Sequence, residues 1–187
     1  MIRVPAVRSA ADEPYTAVEL VRPATQYKYE AKHVGLISDT HGQLRPEAVR
    51  ALVDCDLLIH AGDVGHAELL LELGKIAPVI AVRGNVDVGA FGRGLPERAR
   101  INAGGTIIYV LHDVQELGSK DAEGAHVVVS GHSHKAGSLE REGVLYVNPG
   151  SAGPRRFRLP ITVARLDLWT KPLRVEFVEL TTIERNA

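Results

Sequence analysis

The segment His33-Val-Gly-Leu-Ile-Ser-Asp-Thr-His41 decides the fold, because a short apolar run ends there directly in polar residues. An apolar run of this length predicts a strand that is buried on both faces. The pattern returns at 56–61, which ends at Gly62-Asp63, and at 78–83, which ends at Gly84-Asn85. Apolar residues at helical spacing separate the three runs. The first half of the chain therefore predicts alternating strands and helices around a parallel sheet.

The second half of the chain predicts mostly strands, several of them joined by hairpin turns that contain glycine. The predicted strands cover residues 98–103, 106–111, 126–130, 138–141, 144–147, 161–168 and 173–180. The segment 115–123 predicts only a weak helix or a loop. Together the two halves predict an α/β fold in which two sheets pack face to face between helices.

Composition narrows the class of protein. The 187 residues are 45% hydrophobic and 24% charged, which is typical of a globular chain that buries its own core. Cys55 is the only cysteine, which excludes a disulfide framework, and no uncharged apolar stretch approaches the roughly 18 residues of a membrane span. A formal net charge of −1 disfavours a dedicated nucleic-acid binder. No secretory signal is recognisable, so we expect a cytoplasmic protein.

Residues 1–32 differ from the regular pattern that begins at His33. Prolines interrupt them, no long period emerges, and only 16–21 predicts a short strand. We therefore divide the chain into an N-terminal arm, 1–32, and a main domain, 33–187. The arm is rich in apolar and tyrosine side chains, so we expect it to pack on its own domain or on a neighbouring subunit of a homo-oligomer. A disordered tail is the alternative.

Side chains with metal-binding chemistry follow five of the predicted strands. They are Asp39, His41, Asp63, Asn85, His112, His132 and His134. Since ligands bind outside the carboxyl ends of strands in open α/β sheets, we expect these side chains to converge at one rim. Mixed imidazole and carboxylate ligands favour Mn²⁺, Fe, Zn²⁺, Co²⁺ or Ni²⁺ over Ca²⁺ or Mg²⁺. Seven ligands exceed the needs of one tetrahedral ion and suffice for two if Asp63 bridges them. Two such ions clamp a phosphoryl centre.

This ordered set resembles the calcineurin-like metallophosphoesterases, and most closely their small, capless bacterial and archaeal phosphodiesterase branch. The resemblance covers about His33 to Leu180, and Asn148-Pro-Gly-Ser151 also resembles a motif of that branch. It implies an αββα sandwich of two mixed sheets flanked by helices. It also implies a metal-dependent phosphodiesterase that hydrolyses a small phosphodiester with two divalent ions, Mn²⁺ being the first choice.

The resemblance further implies a role for each site residue. One ion takes Asp39, His41, Asp63 and His134, and the other takes Asp63, Asn85, His112 and His132. A hydroxide between the ions attacks phosphorus, and Asn85 also touches the phosphate. From the residues alone, Arg83 is a candidate substrate contact or an ordinary ion-pair partner, and the Arg155-Arg156-Phe-Arg158 segment attracts a polyanion or is a solvated loop.

Two positions depart from the family pattern. Val86 stands where the broader family has the histidine that assists the leaving group, although the small branch also tends to lack it. Asp113 follows His112 where the family usually has glycine, so it either disturbs the turn that aims His112 or hydrogen-bonds that ring.

The sequence is also compatible with two other functions. One is a metal-binding scaffold on the same fold, such as the retromer subunit, which predicts eroded ligands. The other is a nuclease, which predicts a basic groove or an added domain. All seven ligand positions are intact in this sequence, which favours the phosphodiesterase.

Overall fold

The computed structural model describes residues 27–156 and 158–180. The predicted strand at 16–21 and most of the predicted arm lie outside these residues. The three helices of the described part are α1 Pro46–Leu52, α2 Ala67–Gly74 and α3 Gly89–Gly94. Its strands are β1 Tyr27–Tyr29, β2 His33–Ile37, β3 Leu57–His60, β4 Val79–Ala81, β5 Arg98–Ala103, β6 Thr106–Leu111, β7 Val127–Val129, β8 Gly137–Arg141, β9 Val144–Asn148, β10 Thr162–Asp167 and β11 Arg174–Glu179.

The strands form two mixed sheets, which confirms the predicted fold class. One sheet has the order β11-β10-β2-β3-β4, and its β2, β3 and β4 are parallel, as the first half of the sequence predicts. The other has the order β1-β5-β6-β7-β9-β8, in which β6, β7 and β9 are parallel. The predicted hairpin of β5 and β6 has the predicted bounds, because Gly104 and Gly105 both take positive φ angles at the turn.

Alternate residues of the central strands pack into different apolar layers. Leu36 of β2 belongs to the layer between the sheets, together with Ile108 of β6. The next residue, Ile37, belongs to the layer between the five-stranded sheet and the helices, together with Leu52 of α1 and Leu70 of α2. Because both faces of β2 are covered, its sequence is a continuous apolar run.

The outer face of the six-stranded sheet has a thinner cover. Tyr109 and Val128 point to this face, where Leu117 and Ala122 pack against them. The covering segment contains the short 3₁₀ helix Val114–Glu116 followed by turns, which agrees with the weak helix or loop that the sequence predicts there. Among the described residues, none of the helices combines the length and the apolar character needed to cross a bilayer.

Two elements differ from the sequence prediction. Tyr27–Tyr29, assigned above to the arm, form β1 and pair in parallel with β5, so the folded domain reaches at least to Tyr27 rather than beginning at His33. Helix α3 was not predicted, because its sequence is rich in glycine. It forms because Phe91 and Leu95 pack into the apolar layer between the five-stranded sheet and the helices. Glycine is needed at position 92, since a Cβ there would lie only 1.9 Å from the backbone oxygen of Asp87.

Candidate metal centre

Five loops bring the seven predicted ligand residues to one rim. They follow β2, β3, β4, β6 and β7, whose carboxyl ends face the same edge because these strands are parallel within each sheet. Loops of the two sheets contact each other, since the backbone N–H of His132 donates to Asp39 Oδ2 and His112 Nδ1 lies 2.7 Å from the carbonyl oxygen of Ala61. Both sheets therefore contribute to a single site.

Five of the predicted ligand residues form two groups that share Asp39. One group consists of Asp39, His41 and His134, and the other of Asp39, Asp63 and His112. In each group the carboxylate oxygens and ring nitrogens lie close enough together to hold a metal ion. His134 Nε2 lies 3.2 Å from Asp39 Oδ1, and His112 Nε2 lies 3.4 Å from Asp63 Oδ1.

Asp63 belongs to the second group, and its carboxylate also lies near a histidine of the first. Its Oδ1 faces His112, whereas its Oδ2 lies 3.7 Å from His41 Nε2. The backbone N–H of Val86 donates to Oδ1 at 2.9 Å and fixes the carboxylate. The bridging role that the sequence predicts for Asp63 stays a prediction, and the residue common to both groups is Asp39.

Asn85 and His132 lie at the open side of the rim. The His132 ring meets the His112 ring edge to face, with 5.3 Å between ring centroids, and its side chain is 45% exposed. Asn85 is also exposed and lines a cleft together with His112. These two residues are next to the buried groups but less tightly held, so their role as ligands stays a prediction.

Five of the predicted ligands have a strained backbone. Asp39, His41, Asp63, His132 and His134 all have φ between 48° and 64°. L-residues with a Cβ rarely adopt this left-handed region, and the strain persists only where the surroundings enforce it. Such strain is concentrated at functional sites, and here it turns successive side chains toward one point.

Close approach of the loops also depends on glycine at two positions. A Cβ at Gly84 would lie 2.1 Å from the backbone nitrogen of Asp63, and one at Gly62 would lie 2.5 Å from His112 Nδ1. Neither distance is compatible with a side chain. Gly62 in addition has a φ of 92°, which favours glycine.

Buried polar side chains hold the ligand loops, and the sequence alone did not identify two of them. The carboxylate of Asp87 accepts from the backbone N–H groups of Val64, Gly65 and Gly84, which joins the loops after β3 and β4. Thr40 Oγ1 donates to the carbonyl of Val64 at 2.9 Å. The only sequence signal for either residue was its position within a ligand motif.

His60 lies behind the site and is not itself a ligand in either group. Its Nε2 lies 2.9 Å from Thr40 Oγ1. Because that hydroxyl donates its proton to Val64, the His60 nitrogen is the donor in this contact. Burial lowers the pKa of His60 to about 4, so the ring is neutral at pH 7.

Unpartnered atoms in the two groups fit a metal ion. Asp39 Oδ1 and His112 Nε2 are buried and make no hydrogen bond within the described part of the chain. An orphaned buried acceptor is costly, and a bound cation would satisfy both atoms. The other polar atom of each of these two side chains already has a partner. Asp39 Oδ2 accepts from the backbone N–H of His132, and His112 Nδ1 contacts the carbonyl of Ala61 at 2.7 Å. The donor set therefore fits a divalent transition metal.

At pH 7 most of these side chains are in the protonation state that binds a metal ion. Burial raises the pKa of Asp39 to about 6. Burial acts in the same direction on Asp63, but the His112 imidazole and the Val86 N–H stabilise its carboxylate and bring its pKa to about 2. Burial lowers the pKa of His134 to about 4. His112 is the exception, because the neighbouring Asp63 carboxylate outweighs burial and raises its pKa to about 8. A cation bound there would displace a proton.

Comparison with known proteins identifies the family. Residues 33–171 match the model of the calcineurin-like phosphoesterase superfamily domain. The chain belongs to this superfamily. A probable metallophosphoesterase of Methanothermobacter thermautotrophicus is 37% identical over 148 residues, which cover 72% of this chain and 86% of that protein. The resemblance stated from the sequence is thus confirmed at the level of the family.

Solved structures of similar proteins share the fold of this phosphoesterase. An archaeal protein described as a novel phosphodiesterase is 23% identical, with a TM-score of 0.65, and the match covers 78% of this chain and 99% of that one. Vacuolar Protein Sorting 29 of Cryptosporidium parvum is 21% identical, with a TM-score of 0.60, and the match covers 82% of this chain and 100% of the other. At these identities the likeness concerns the fold.

The two departures of this phosphoesterase from the family pattern have clear structural settings. Val86 is exposed beside Asp63, with 42% of its surface accessible, and offers no proton. The hydrogen bond from Asp113 to the His112 ring, one of the two possibilities that the sequence left open, does not form. Its Oδ1 accepts from the backbone N–H of Gln115, and its Oδ2 lies 3.6 Å from His132 Nε2. The carboxylate therefore lies beside the most exposed imidazole of the site.

Arg83, the predicted substrate contact, forms an ion pair with Glu97. Both side chains line a cleft of about 330 Å³ that opens beside the metal-binding groups. The remaining lining residues are Gly84, Asn85, His112, Asp113 and Glu116. Arg83 thus lies next to the site, and its contact with substrate stays a prediction.

Proposed function

We propose that this phosphoesterase is a dinuclear metal-dependent phosphodiesterase that hydrolyses a P–O bond of a small phosphodiester. The observation that carries the proposal is the position of Asp63, whose two oxygens face two different histidine-containing groups. A shared carboxylate is how proteins place two ions about 3.5–4 Å apart around a phosphoryl group. Mn²⁺ is our first choice, with Zn²⁺, Fe, Ni²⁺ or Co²⁺ as alternatives for the same mixed ligands.

Each residue of the site has a definite task in this proposal. Divalent ions at such a site supply a nucleophile at neutral pH and neutralise the phosphoryl oxygens. Asp63 holds the two groups together through its charge. The Ala61 carbonyl fixes His112 so that its Nε2 faces inward. Asn85, at the mouth of the cleft, offers amide N–H donors to a phosphoryl oxygen.

The leaving group receives little help from the protein in this proposal. Val86 occupies the position of the family's assisting histidine and cannot donate a proton. We therefore expect diesters with acidic leaving groups, such as aryl esters, to react faster than alkyl esters. A rate that does not depend on leaving-group pKa, with chemistry limiting, would mean that another residue supplies the proton.

A catalytically inactive scaffold and a nuclease are less well supported. The scaffold predicts lost ligands, whereas all seven positions are present and their loops converge. The nuclease predicts a basic groove, but the cleft beside the site includes three carboxylates and a single arginine. A cytoplasmic location and assembly into a homo-oligomer remain our expectations from the sequence.

The experiment combines metal analysis with activity. We expect about two metal ions per chain after reconstitution with Mn²⁺, and hydrolysis of phosphodiesters in a panel that also contains phosphomonoesters. Asp63→Asn should abolish turnover and lower the metal content while the fold persists, because a neutral amide cannot replace the shared charge. His66→Ala is the matched control.

His66 contacts the carbonyl of Gly42 at the same rim yet is exposed and in neither ligand group. We therefore expect its replacement to be mild. Equal losses for the two variants at saturating metal would refute the bridging role of Asp63. A metal content that stays at one ion or below in the wild type would refute the dinuclear site.

A further inference from the structure

The loop that follows β9 is fastened to the first ligand loop. Ser151 Oγ donates to the carbonyl of Asp39 at 3.0 Å, and Ala152 N–H donates to that of Ser38 at 3.0 Å. Gly153 packs so closely that a Cβ would lie 2.4 Å from the carbonyl oxygen of Thr40. The path of this loop is therefore set by the same backbone that carries Asp39 and His41.

The far end of the loop returns to the sheet and is anchored there as well. Thr162 N–H donates to the carbonyl of Ser151 at 2.9 Å. Within the loop, Leu159 N–H donates to the carbonyl of Arg156 at 3.3 Å. Arg156 thus lies on a segment held at both ends, although its own side chain is free to reach outward because the residue is exposed.

The side chain of Arg156 reaches the metal-binding groups. Its Nη2 lies 3.3 Å from Nε2 of His41. A neutral imidazole nitrogen has one lone pair, so it can accept a hydrogen bond from arginine or bind an ion, but not both. Once Nε2 of His41 binds an ion, the guanidinium must give up that acceptor, and its N–H donors at the rim become available to another oxygen.

We propose that Arg156 is a substrate-binding residue that donates from its guanidinium to an unesterified phosphoryl oxygen of the phosphodiester held at this site. The inference rests on the proposed function and extends it by one residue. A guanidinium is always charged and presents planar, paired donors that match phosphoryl oxygens.

Three other arginines near the site have partners of their own, which makes Arg156 a better candidate than these. Arg83 pairs with Glu97, Arg45 donates to the carbonyl of Gly153, and Arg155 Nε donates to the carbonyl of Leu159. Arg156 instead contacts a predicted metal ligand whose lone pair an ion would take.

The test compares Arg156→Gln with Arg155→Gln in the metal-loaded full-length chain. Arg155 is the matched control, because it carries the same charge one residue away but is satisfied by a backbone carbonyl. Inorganic phosphate, which needs no turnover, is titrated calorimetrically as the probe. We expect Arg156→Gln to weaken phosphate binding by roughly tenfold or more, as for loss of a charge-assisted hydrogen bond, and Arg155→Gln to change it little. Arg156→Lys should restore part of the affinity.

Kinetics and metal analysis complete the test. With a phosphodiester substrate, Arg156→Gln should raise KM or lower kcat/KM by a similar factor while metal content stays that of the wild type. Equal phosphate affinity of the two glutamine variants would overturn the proposal. Loss of metal from Arg156→Gln would also overturn it, since the residue would then act through His41. Failure of the wild type to hydrolyse any diester would refute the proposed function, whereas phosphate binding would still decide the role of Arg156.

Discussion

Acid destabilisation through His60 is the prediction that the structure specifies most closely. The ring is fully buried, its Nε2 donates to Thr40, and its Nδ1 has no partner among the described residues. A second ring proton would therefore be buried without an acceptor. Burial accordingly lowers the pKa of His60 from 6.5 to about 4.

The direction and size of the effect follow from this shift. Between pH 6.5 and pH 4 the unfolded chain binds a proton at this histidine that the folded protein excludes, so stability falls as the pH falls. The contribution of His60 is present above pH 6.5 and is lost progressively toward pH 4. At about 1.4 kcal/mol per unit, the loss between pH 7.5 and pH 5 is on the order of 2 kcal/mol.

The assay is urea unfolding of metal-free wild type and His60→Gln at several pH values. Groups other than His60 titrate in both proteins, so the difference between the two stability curves isolates this residue. We expect the wild type to lose about 2 kcal/mol more than the variant between pH 7.5 and pH 5, a relative shift of the urea midpoint of roughly 1 M. An NMR titration of the His60 ring measures the folded pKa independently. Parallel stability curves, or a folded pKa near 6.5, would refute the reasoning.

Two further predictions concern side chains near the site and in the core. Asp113→Asn should weaken metal binding by roughly tenfold to a hundredfold, because the carboxylate beside His132 no longer orients that ring. Titration with Mn²⁺ measures the affinity. The control is Asp121→Asn, which removes a carboxylate paired with Arg98 and should leave the affinity unchanged. Cys55 should not react with a thiol reagent at pH 8 in the folded protein, since burial raises its pKa to about 11, and fast labelling under native conditions would contradict its burial.

Sequence alone was enough to predict which metal-binding side chains come together at the candidate site. The apolar runs at 33–38 and 56–61 are buried on both faces, so local composition was enough to predict the strands and the parallel sheet. Once those strands were predicted, the residues that follow them had to share one edge, and the convergence of Asp39, Asp63 and His112 follows from topology.

Only the tertiary structure decided how those residues are oriented and what surrounds them. Asp113 faces His132 rather than its neighbour His112, and Arg156 reaches His41, because loops far apart in the sequence are held together by backbone hydrogen bonds. Strand β1 could not be predicted, since three residues of edge strand carry too little local pattern and depend on pairing with β5. The left-handed backbone of the ligand residues is likewise imposed by packing, because isolated Asp and His prefer other conformations.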